Sequence, residues 1–389
     1  MGKAPVIDRV EIHEFWHEVR NLGTDYNGFN SVYEPGARSR RTRYAVRIGT
    51  DAGVSGAYVG GGSAEAGELR MYASYLIGRS PFEREKIYND VKRALRKYDK
   101  MSLGLVDIAL WDIAGRWYEA PVYQLLGGWR RKLPAYASTY HGDHQGDGLS
   151  SPAAYADFAE QCLERGYPAF KIHGWGDAPI AQEIATVLEV GKRVGGRMDM
   201  MIDPACEYNT FADALKVGRA CDEAAFLWLE DPFKDGGVSQ YAHRKLRQLI
   251  RTPILQCEHV RNVEPKADFL IAEATDFLRV DPLYDCGITG ALKIAHIAEG
   301  FGVDAEIHAP GPAQRHLMAA MRNTNYYEMA LVHPKVPSTN AVLYADGYDD
   351  SLESIDASGC VDVPEGPGLG VTYNWELIER NRTGLVVFE

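Results

Sequence analysis

Cysteine is scarce in this sequence, and no pair of cysteines has the spacing of a redox or zinc motif. The 389 residues contain six cysteines and no CxxC pattern, whereas small secreted scaffolds carry dense, closely spaced cysteines. We therefore predict reduced thiols, in or near the core of a cytoplasmic protein. The amino terminus also lacks the long apolar segment of a signal peptide.

Long hydrophobic runs and excess positive charge are missing as well. No stretch reaches the ~18 apolar residues that a membrane-spanning helix requires, so we predict no membrane partner. The 42 Lys and Arg are outnumbered by 54 Asp and Glu, and the net charge is −12. Nucleic-acid-binding proteins present a basic face, so we exclude a nucleic-acid partner. The single dense basic run, Arg38 to Arg43, is interpreted as a solvated loop or subunit contact rather than an anion site.

The sequence also has no GxGxxG or GxxxxGKS/T motif, which argues against a doubly wound nucleotide-binding sheet. From about residue 132 it alternates short apolar strands with helices instead. The candidate strands are 133–138, 167–172, 198–203, 226–230, 253–257, 277–281, 303–307 and 327–331. Candidate helices between them include 152–165, 179–194, 211–224, 240–250 and 288–300. Eight strands that alternate with helices predict a parallel (β/α) barrel.

The regions outside the barrel have different patterns. Residues 6–60 are predicted to form strands around an irregular loop at 20–40, where Gly, Asn and Tyr are frequent. Residues 64–127 have helical periodicity, and Ser80 is predicted to cap a helix whose first turn contains Pro81. We therefore predict three parts: an α+β capping domain at 1–130, a barrel at 131–335, and a carboxyl-terminal segment at 336–389 that returns to the cap.

Three carboxylates, Asp203, Glu230 and Glu258, end successive predicted strands at nearly equal steps. Each step is about the length of one strand, one helix and two short loops. An ionised carboxylate at a buried strand end is costly unless a metal or a partner charge compensates it. The pattern therefore predicts one site for a hard cation at the mouth of the barrel.

Other predicted strands also end in polar residues. Lys171 and His173 lie on the same side of the second strand, where both would be poor core residues, so we predict a catalytic role. Asp281 ends the sixth strand and His308 follows the seventh. On adjacent strands the two side chains come within hydrogen-bonding reach, which favours a general base. Glu328, near the start of the eighth strand, is a further candidate.

The remaining histidines have weaker contexts in the sequence. His141 and His144 follow the first barrel strand and are predicted to be exposed loop residues. His259 comes directly after Glu258 and is predicted to point away from it if the strand persists. The others are assigned structural roles: His13, His17, His296 and His333.

These residues together resemble the enolase superfamily, specifically its mandelate racemase-like subgroup. The segments Ala109–Gly115 and Pro121–Gly128 are similar to the junction between cap and barrel in that family. Asp281, followed by the segment 286–289, resembles the family's aspartate and glycine turn. The resemblance extends over nearly the whole chain. It implies an α+β cap over a modified (β/α)7β barrel, a loop near residue 20 that closes on the substrate, and a homo-oligomer.

The resemblance also implies roles for the site residues. Asp203, Glu230 and Glu258 would bind Mg²⁺, which with Lys171 would hold a substrate carboxylate and stabilise the ene-diolate formed when the α-proton leaves. Glu328, if protonated, would donate a hydrogen bond to the same oxygens.

One position departs from the family. The subgroup often has Lys-x-Lys at the second strand, and here His173 stands in place of the second lysine. His173 is thus either a second base, on the face of the substrate opposite His308, or a group that binds substrate or donates to a leaving hydroxyl.

Dehydration of a sugar acid to a 2-keto-3-deoxy acid is favoured, because polar residues near position 20 could meet a polyol. They are Asp25, Tyr26, Asn27 and Asn30. One alternative is a racemase or epimerase of a 2-hydroxy acid, with His173 and His308 as opposed bases. The other is a non-catalytic, metal-bound barrel that binds a ligand.

Overall fold

The computed structural model describes residues 4–389, which form two sheets connected by helices. The strands are β1 (Ile7–Thr24), β2 (Ser31–Thr50), β3 (Ser55–Val59), β4 (Lys132–Thr139), β5 (Ala169–Ile172), β6 (Asp199–Ile202), β7 (Trp228–Glu230), β8 (Ile254–Gln256), β9 (Phe277–Val280), β10 (Asp304–Ile307), β11 (Tyr327–Val332), β12 (Cys360–Asp362) and β13 (Arg382–Phe388).

The helices surround these sheets. They are α1 (Ser63–Arg70), α2 (Ala73–Leu76), α3 (Arg84–Ala94), α4 (Ser102–Trp117), α5 (Val122–Leu125), α6 (Pro152–Arg165), α7 (Ile180–Val194), α8 (Phe211–Ala224), α9 (Gln240–Arg247), α10 (Val263–Ile271), α11 (Gly287–Phe301), α12 (Pro312–Ala320) and α13 (Trp375–Arg380). Within the described residues, none of them is long and apolar enough to cross a membrane.

The cap contains an antiparallel sheet with the strand order β13-β1-β2-β3. Strand β13 pairs with β1, so the carboxyl-terminal segment joins the sheet of the amino-terminal region. Helix α4 packs directly on β3 because Gly56 has no side chain. A Cβ atom at Gly56 would lie 2.2 Å from the carbonyl oxygen of Ala109. Asp112 of the same helix accepts hydrogen bonds from the backbone of Ala57 (3.0 Å) and Leu369 (2.8 Å).

The prediction of an irregular loop at 20–40 is wrong, because most of that segment belongs to a long β1–β2 hairpin. The ladder continues as far as the pair Thr24 and Ser31, so only residues 25–30 are irregular. A register shift between Arg20 and Leu22 interrupts the ladder, and it breaks the alternation by which a strand is recognised in a sequence. The basic run from 38 to 43 therefore lies in strand β2 rather than in a loop.

The start of helix α3 also differs from the prediction. The helix begins at Arg84, and Glu83 precedes it at the N-cap position. Ser80 instead accepts a hydrogen bond from the backbone nitrogen of Phe82 (3.3 Å) in the preceding turn. The serine side chain stabilises a turn here, a role that the same residue type takes as often as a helix cap.

All eight strands predicted for the barrel are present, and β4 to β11 form a parallel sheet with the order β10-β9-β8-β7-β6-β5-β4-β11. Within the described residues no backbone ladder joins β10 to β11. A hydrogen bond from the backbone of Ala309 to Glu328 (2.9 Å) connects the two strand ends instead. The fold is thus a modified TIM barrel with a capping domain. Strands β4 to β8 each send one buried residue to a shared cluster: Tyr136, Ala169, Met201, Trp228 and Leu255.

All six cysteines have free thiols, and four of them are buried. This agrees with the predicted absence of disulfides.

Candidate active site

A cavity of about 540 Å³ opens at the carboxyl ends of the barrel strands. Because the strands are parallel, the residues that follow them meet at one edge of the sheet. The cap closes the other side, where Asn30 and Arg43 of the hairpin contribute to the wall. The polar residues that line the barrel side are His141, Lys171, His173, Asp203, Glu258, His259, Tyr284, His308 and Glu328.

The three carboxylates predicted to bind a metal lie together at this edge. Asp203 and Glu258 follow strands β6 and β8, and Glu230 is the last residue of β7. Each contributes an oxygen, and these three oxygens lie within 4.8 Å of one another. An all-oxygen, buried donor set is the kind that hard divalent cations such as Mg²⁺ prefer.

The charges around the cluster also fit a divalent cation. Lys171 donates to Glu230 (2.9 Å) and Asp203 (3.3 Å), and it forms a third ion pair with Glu328 (2.8 Å). Arg279 donates to the second oxygen of Glu230 (2.7 Å). With Glu258 counted, four carboxylates face two permanent cations, so the site keeps an excess of negative charge. Such an excess is costly in a buried site unless a bound cation offsets it.

The pKa values of two carboxyl groups are shifted upward, which agrees with an excess of negative charge at the site. Burial raises the pKa of Glu230 above its usual value, although Arg279 and Lys171 oppose the shift. Burial and the neighbouring Glu258 hold the pKa of Asp231 well above its usual range. No separate role was predicted for Asp231, yet it is buried and its two oxygens have no hydrogen-bond partner among the described residues. Its position directly after Glu230 is the feature of the sequence that could have identified it as a site residue.

The predicted pair of Asp281 and His308 is formed. His308 donates from Nδ1 to Asp281 (2.5 Å), and its Nε2 lies 3.3 Å from Glu258. Burial disfavours the charged imidazole, but Glu258 and Asp281 outweigh it and raise the pKa of His308 to about 9. With Nδ1 held by Asp281, Nε2 is the ring nitrogen that remains available for proton exchange.

A second buried ion pair holds Asp281 in place. Asp285 accepts a hydrogen bond from the backbone nitrogen of Asp281 (3.0 Å) and forms an ion pair with Lys266 (2.7 Å).

We expect Lys266→Met to lower the free energy of unfolding by about 3–5 kcal/mol, because it leaves the Asp285 charge buried without its partner. Lys293→Met breaks the exposed pair with Glu85 and should cost about 0–1 kcal/mol. Urea denaturation of both variants tests this, and equal losses would contradict it.

His173 has a defined orientation. Its Nδ1 donates to the backbone oxygen of Thr139 (2.8 Å), and its Nε2 lies 3.1 Å from Asp203. Strands β6 to β9 separate His173 from His308 along the sheet, so the two imidazoles reach the cavity from different sides. Each therefore presents Nε2 to the cavity, one beside Asp203 and the other beside Glu258.

The contacts of Glu328 favour its ionised form over the protonated form that a hydrogen bond to the substrate would require. Burial alone would raise its pKa, but Lys171 and Arg279 hold that pKa well below its usual range. Its oxygens also accept hydrogen bonds from Ser138 (2.9 Å) and from the backbone of Ala309 (2.9 Å). An ionised Glu328 that positions Lys171 fits these contacts better than a hydrogen-bond donor.

Two histidines lie at the cavity although the sequence did not indicate it. His259 lines the cavity, because β8 ends at Gln256 and Cys257 has a positive φ of 88°, so the alternation of a strand no longer applies. His141 is buried rather than exposed, and its ring centroid lies 5.0 Å from that of His173. His144, in contrast, is exposed as expected, 3.4 Å from Asp177.

The hairpin residues predicted to bind substrate take different positions. Asp25 accepts hydrogen bonds from three backbone nitrogens of its own turn, and Asn27 accepts one from Phe29 (3.0 Å). Asp25 and Tyr26 line a neighbouring cavity of about 420 Å³, and His141 lines both this cavity and the metal-site cavity. Asn30 is the member of the group that lines the metal-site cavity itself.

Several known proteins are similar to this chain. The chain is 31% identical over 363 residues to the D-galactarolactone cycloisomerase of Agrobacterium fabrum, which covers 88% of this chain and 92% of that protein. It is 28% identical over 331 residues to the D-gluconate dehydratase of Thermoproteus tenax; that match covers 81% of this chain but 64% of the dehydratase. The crystal structure of D-glucarate dehydratase from Agrobacterium tumefaciens, complexed with magnesium, has a TM-score of 0.85 and 29% identity, with 97% of this chain and 99% of that chain covered.

Two families match successive parts of the chain. Residues 35–127 match the mandelate racemase / muconate lactonizing enzyme, N-terminal domain, and residues 154–377 match the enolase C-terminal domain-like family. The chain therefore belongs to the enolase superfamily, in its mandelate racemase-like group, and is an enzyme of the dehydratase or racemase and epimerase type.

Proposed function

We propose that the enzyme uses Mg²⁺ to abstract the proton α to a substrate carboxylate through an ene-diolate, and that it dehydrates a sugar acid to a 2-keto-3-deoxy acid. The observation that carries the proposal is the Asp281–His308 pair, whose imidazole lies 3.3 Å from Glu258 of the three-carboxylate cluster. The D-gluconate and D-glucarate dehydratases that this chain resembles support the choice of a sugar acid.

The residues of the chain have separate tasks in this reaction. Asp203, Glu230 and Glu258 would hold Mg²⁺, which supplies positive charge where negative charge develops on the substrate. Lys171 is held by Glu230 and Glu328, and its third N–H, which lies 3.3 Å from Asp203, would turn to a carboxylate oxygen of the substrate. Because Lys171 is already in place, little reorganisation is needed as charge develops.

His308 moves the proton. In its neutral form, the Nε2 of His308 takes the α-proton of the substrate, and Asp281 stabilises the imidazolium that results. A cation held by Glu258 would favour that neutral form, because it would offset the carboxylate that raises the pKa of His308. In a dehydration the β-hydroxyl then leaves with a proton, which His308 or His173 supplies from Nε2. The electron pair of the broken C–H bond forms the new double bond, and the resulting enol becomes the 2-keto group.

Racemisation or epimerisation is the second candidate, and the position of His173 favours it. Inversion at a carbon needs a proton acceptor on one face and a donor on the other. His173 and His308 present Nε2 atoms from different sides of the cavity, so the arrangement has the necessary groups.

Incubation of the protein with Mg²⁺ and a panel of aldonic and aldaric acids in D₂O distinguishes the two reactions. Dehydration predicts a 2-keto product from at least one acid, detected as its semicarbazone. Exchange of the α-proton for deuterium without any 2-keto product would contradict dehydration and support epimerisation. The His308→Asn variant is the control, since it should lose both the product and the exchange.

A further inference from the structure

Arg43 is a cation of the cap that reaches the metal-site cavity. It lies in strand β2, is half-buried, and forms part of the cavity wall. Lys171 is the other permanently charged cation in that wall, and it belongs to strand β5 of the barrel. The two cations therefore reach the same space from different domains.

The two cations differ in what neutralises them. Lys171 forms ion pairs with Asp203, Glu230 and Glu328. Within the described part of the chain, no carboxylate lies within the 4.0 Å of Arg43 that would make an ion pair. Burial and the neighbouring Arg41 lower the pKa of Arg43 to about 10, and only the phenols of tyrosines oppose this shift.

His17, a neighbour of Arg43, brings no negative charge to it. Burial, Arg43 and Arg41 together lower the pKa of His17 to about 4, so this imidazole stays neutral. Its two ring nitrogens have no hydrogen-bond partner among the described side chains. A partly buried guanidinium without a counter-charge has an unfavourable desolvation free energy. A ligand that places an anionic group beside it offsets that free energy.

We propose that Arg43 binds a second anionic group at the far end of the substrate, and that this group is a carboxylate, so that the enzyme prefers aldaric acids to aldonic acids. The proposal rests on the proposed function, which assigns the reacting carboxylate to Lys171 and the metal site. Guanidinium presents two parallel donors that match a carboxylate. A phosphate could satisfy the same donors, so a phosphorylated sugar acid is the competing ligand.

The first test compares kcat/KM for aldaric acids and for aldonic acids of the same configuration. We expect Arg43→Met to lower kcat/KM for the aldaric acids by about 10- to 100-fold, the effect of losing a hydrogen bond to a charged group. The value for the aldonic acids should change little, and Arg43→Lys should restore part of the loss. Arg40→Met is the matched control, since Arg40 lies on the same strand but is exposed and stacks on Trp16 at 4.1 Å.

The second test does not depend on turnover. Calorimetry with Mg²⁺ present measures the binding of D-glucarate, D-gluconate and 6-phospho-D-gluconate to the wild type, to Arg43→Met and to Arg43→Gln. The proposal expects D-glucarate to bind most tightly, and this preference to disappear in both variants while their melting temperatures stay near that of the wild type. Selective loss of D-glucarate binding without any turnover would refute the proposed function but leave the role of Arg43 intact.

Three results would overturn the inference. Equal weakening of D-glucarate and D-gluconate would mean that Arg43 holds the reacting carboxylate. Tighter binding of 6-phospho-D-gluconate would identify a phosphate as the second anion. Tightest binding of D-gluconate, or no binding of any of the three acids, would show that Arg43 recognises no second anion in this cavity.

Discussion

Replacement of His308 by asparagine is expected to lower kcat by about 100- to 10,000-fold, the range that a general acid or base contributes. The amide can still donate a hydrogen bond to Asp281, but it cannot accept the α-proton. The metal ligands remain in place, so binding of substrate should change much less than kcat. Exchange of the α-proton with D₂O should fall in parallel, and steady-state kinetics with NMR detection of the exchange measures both effects.

His296→Asn is the matched control for this experiment. His296 is an exposed histidine of helix α11, and its replacement should leave kcat unchanged. If His308→Asn retained the wild-type kcat, the proposed proton transfer would be wrong, and a non-catalytic barrel that binds a ligand would become the better explanation. Similar melting temperatures for both variants would exclude a loss of folding as the cause of lower activity.

Removal of Mg²⁺ is expected to lower activity at least ~100-fold, because a metal supplies several kcal/mol of stabilisation to the developing charge. The chelated protein should regain activity when Mg²⁺ is added. Mg²⁺ should also raise the melting temperature, since an ion that binds only the folded state at 100 times its Kd adds about 2.7 kcal/mol of stability. Differential scanning calorimetry provides this readout without any substrate.

Asp203→Asn tests whether the cation binds at the proposed carboxylates. This variant should lose most of the thermal shift caused by Mg²⁺. Asp199→Asn is the control: Asp199 is the first residue of β6, the strand that Asp203 follows, and it accepts a hydrogen bond from Tyr326 (2.6 Å) outside the cavity. An unchanged shift in Asp203→Asn, or the absence of any shift in the wild type, would contradict the assignment.

The sequence predicted the barrel well because its strands have strong local signals. Each strand is a short apolar run bounded by polar or turn residues, and helices α6 and α8 have the predicted limits of 152–165 and 211–224. The carboxylates were recognisable for the same reason, since an acidic residue at the end of an apolar run stands out. In the cap, by contrast, a register shift made the β1–β2 hairpin hard to recognise in the sequence. Ser80, which was expected to cap α3, stabilises the preceding turn instead.

Some side chains at the mouth of the barrel could not be predicted, because contacts between residues far apart in the chain place them there. Arg43 was assigned to a solvated loop or subunit contact because it ends a dense basic run, and nothing local indicates that β2 carries it to the cavity. His259 was expected to point away from Glu258 only if the strand persisted, and the end of β8 at Gln256 could not be located to within one residue from the sequence.

By itself, the sequence determined the barrel, the order of its polar strand ends and the metal-type carboxylate cluster, because these follow from hydrophobic patterning within each strand and helix. Only the tertiary structure decided which charges compensate one another. It showed that Lys171 and Arg279 hold the pKa of Glu328 well below its usual range, that Lys171 pairs with three carboxylates and that Arg43 pairs with none among the described residues. Burial and distance set the energy of a charge, and both exist only once the chain has folded.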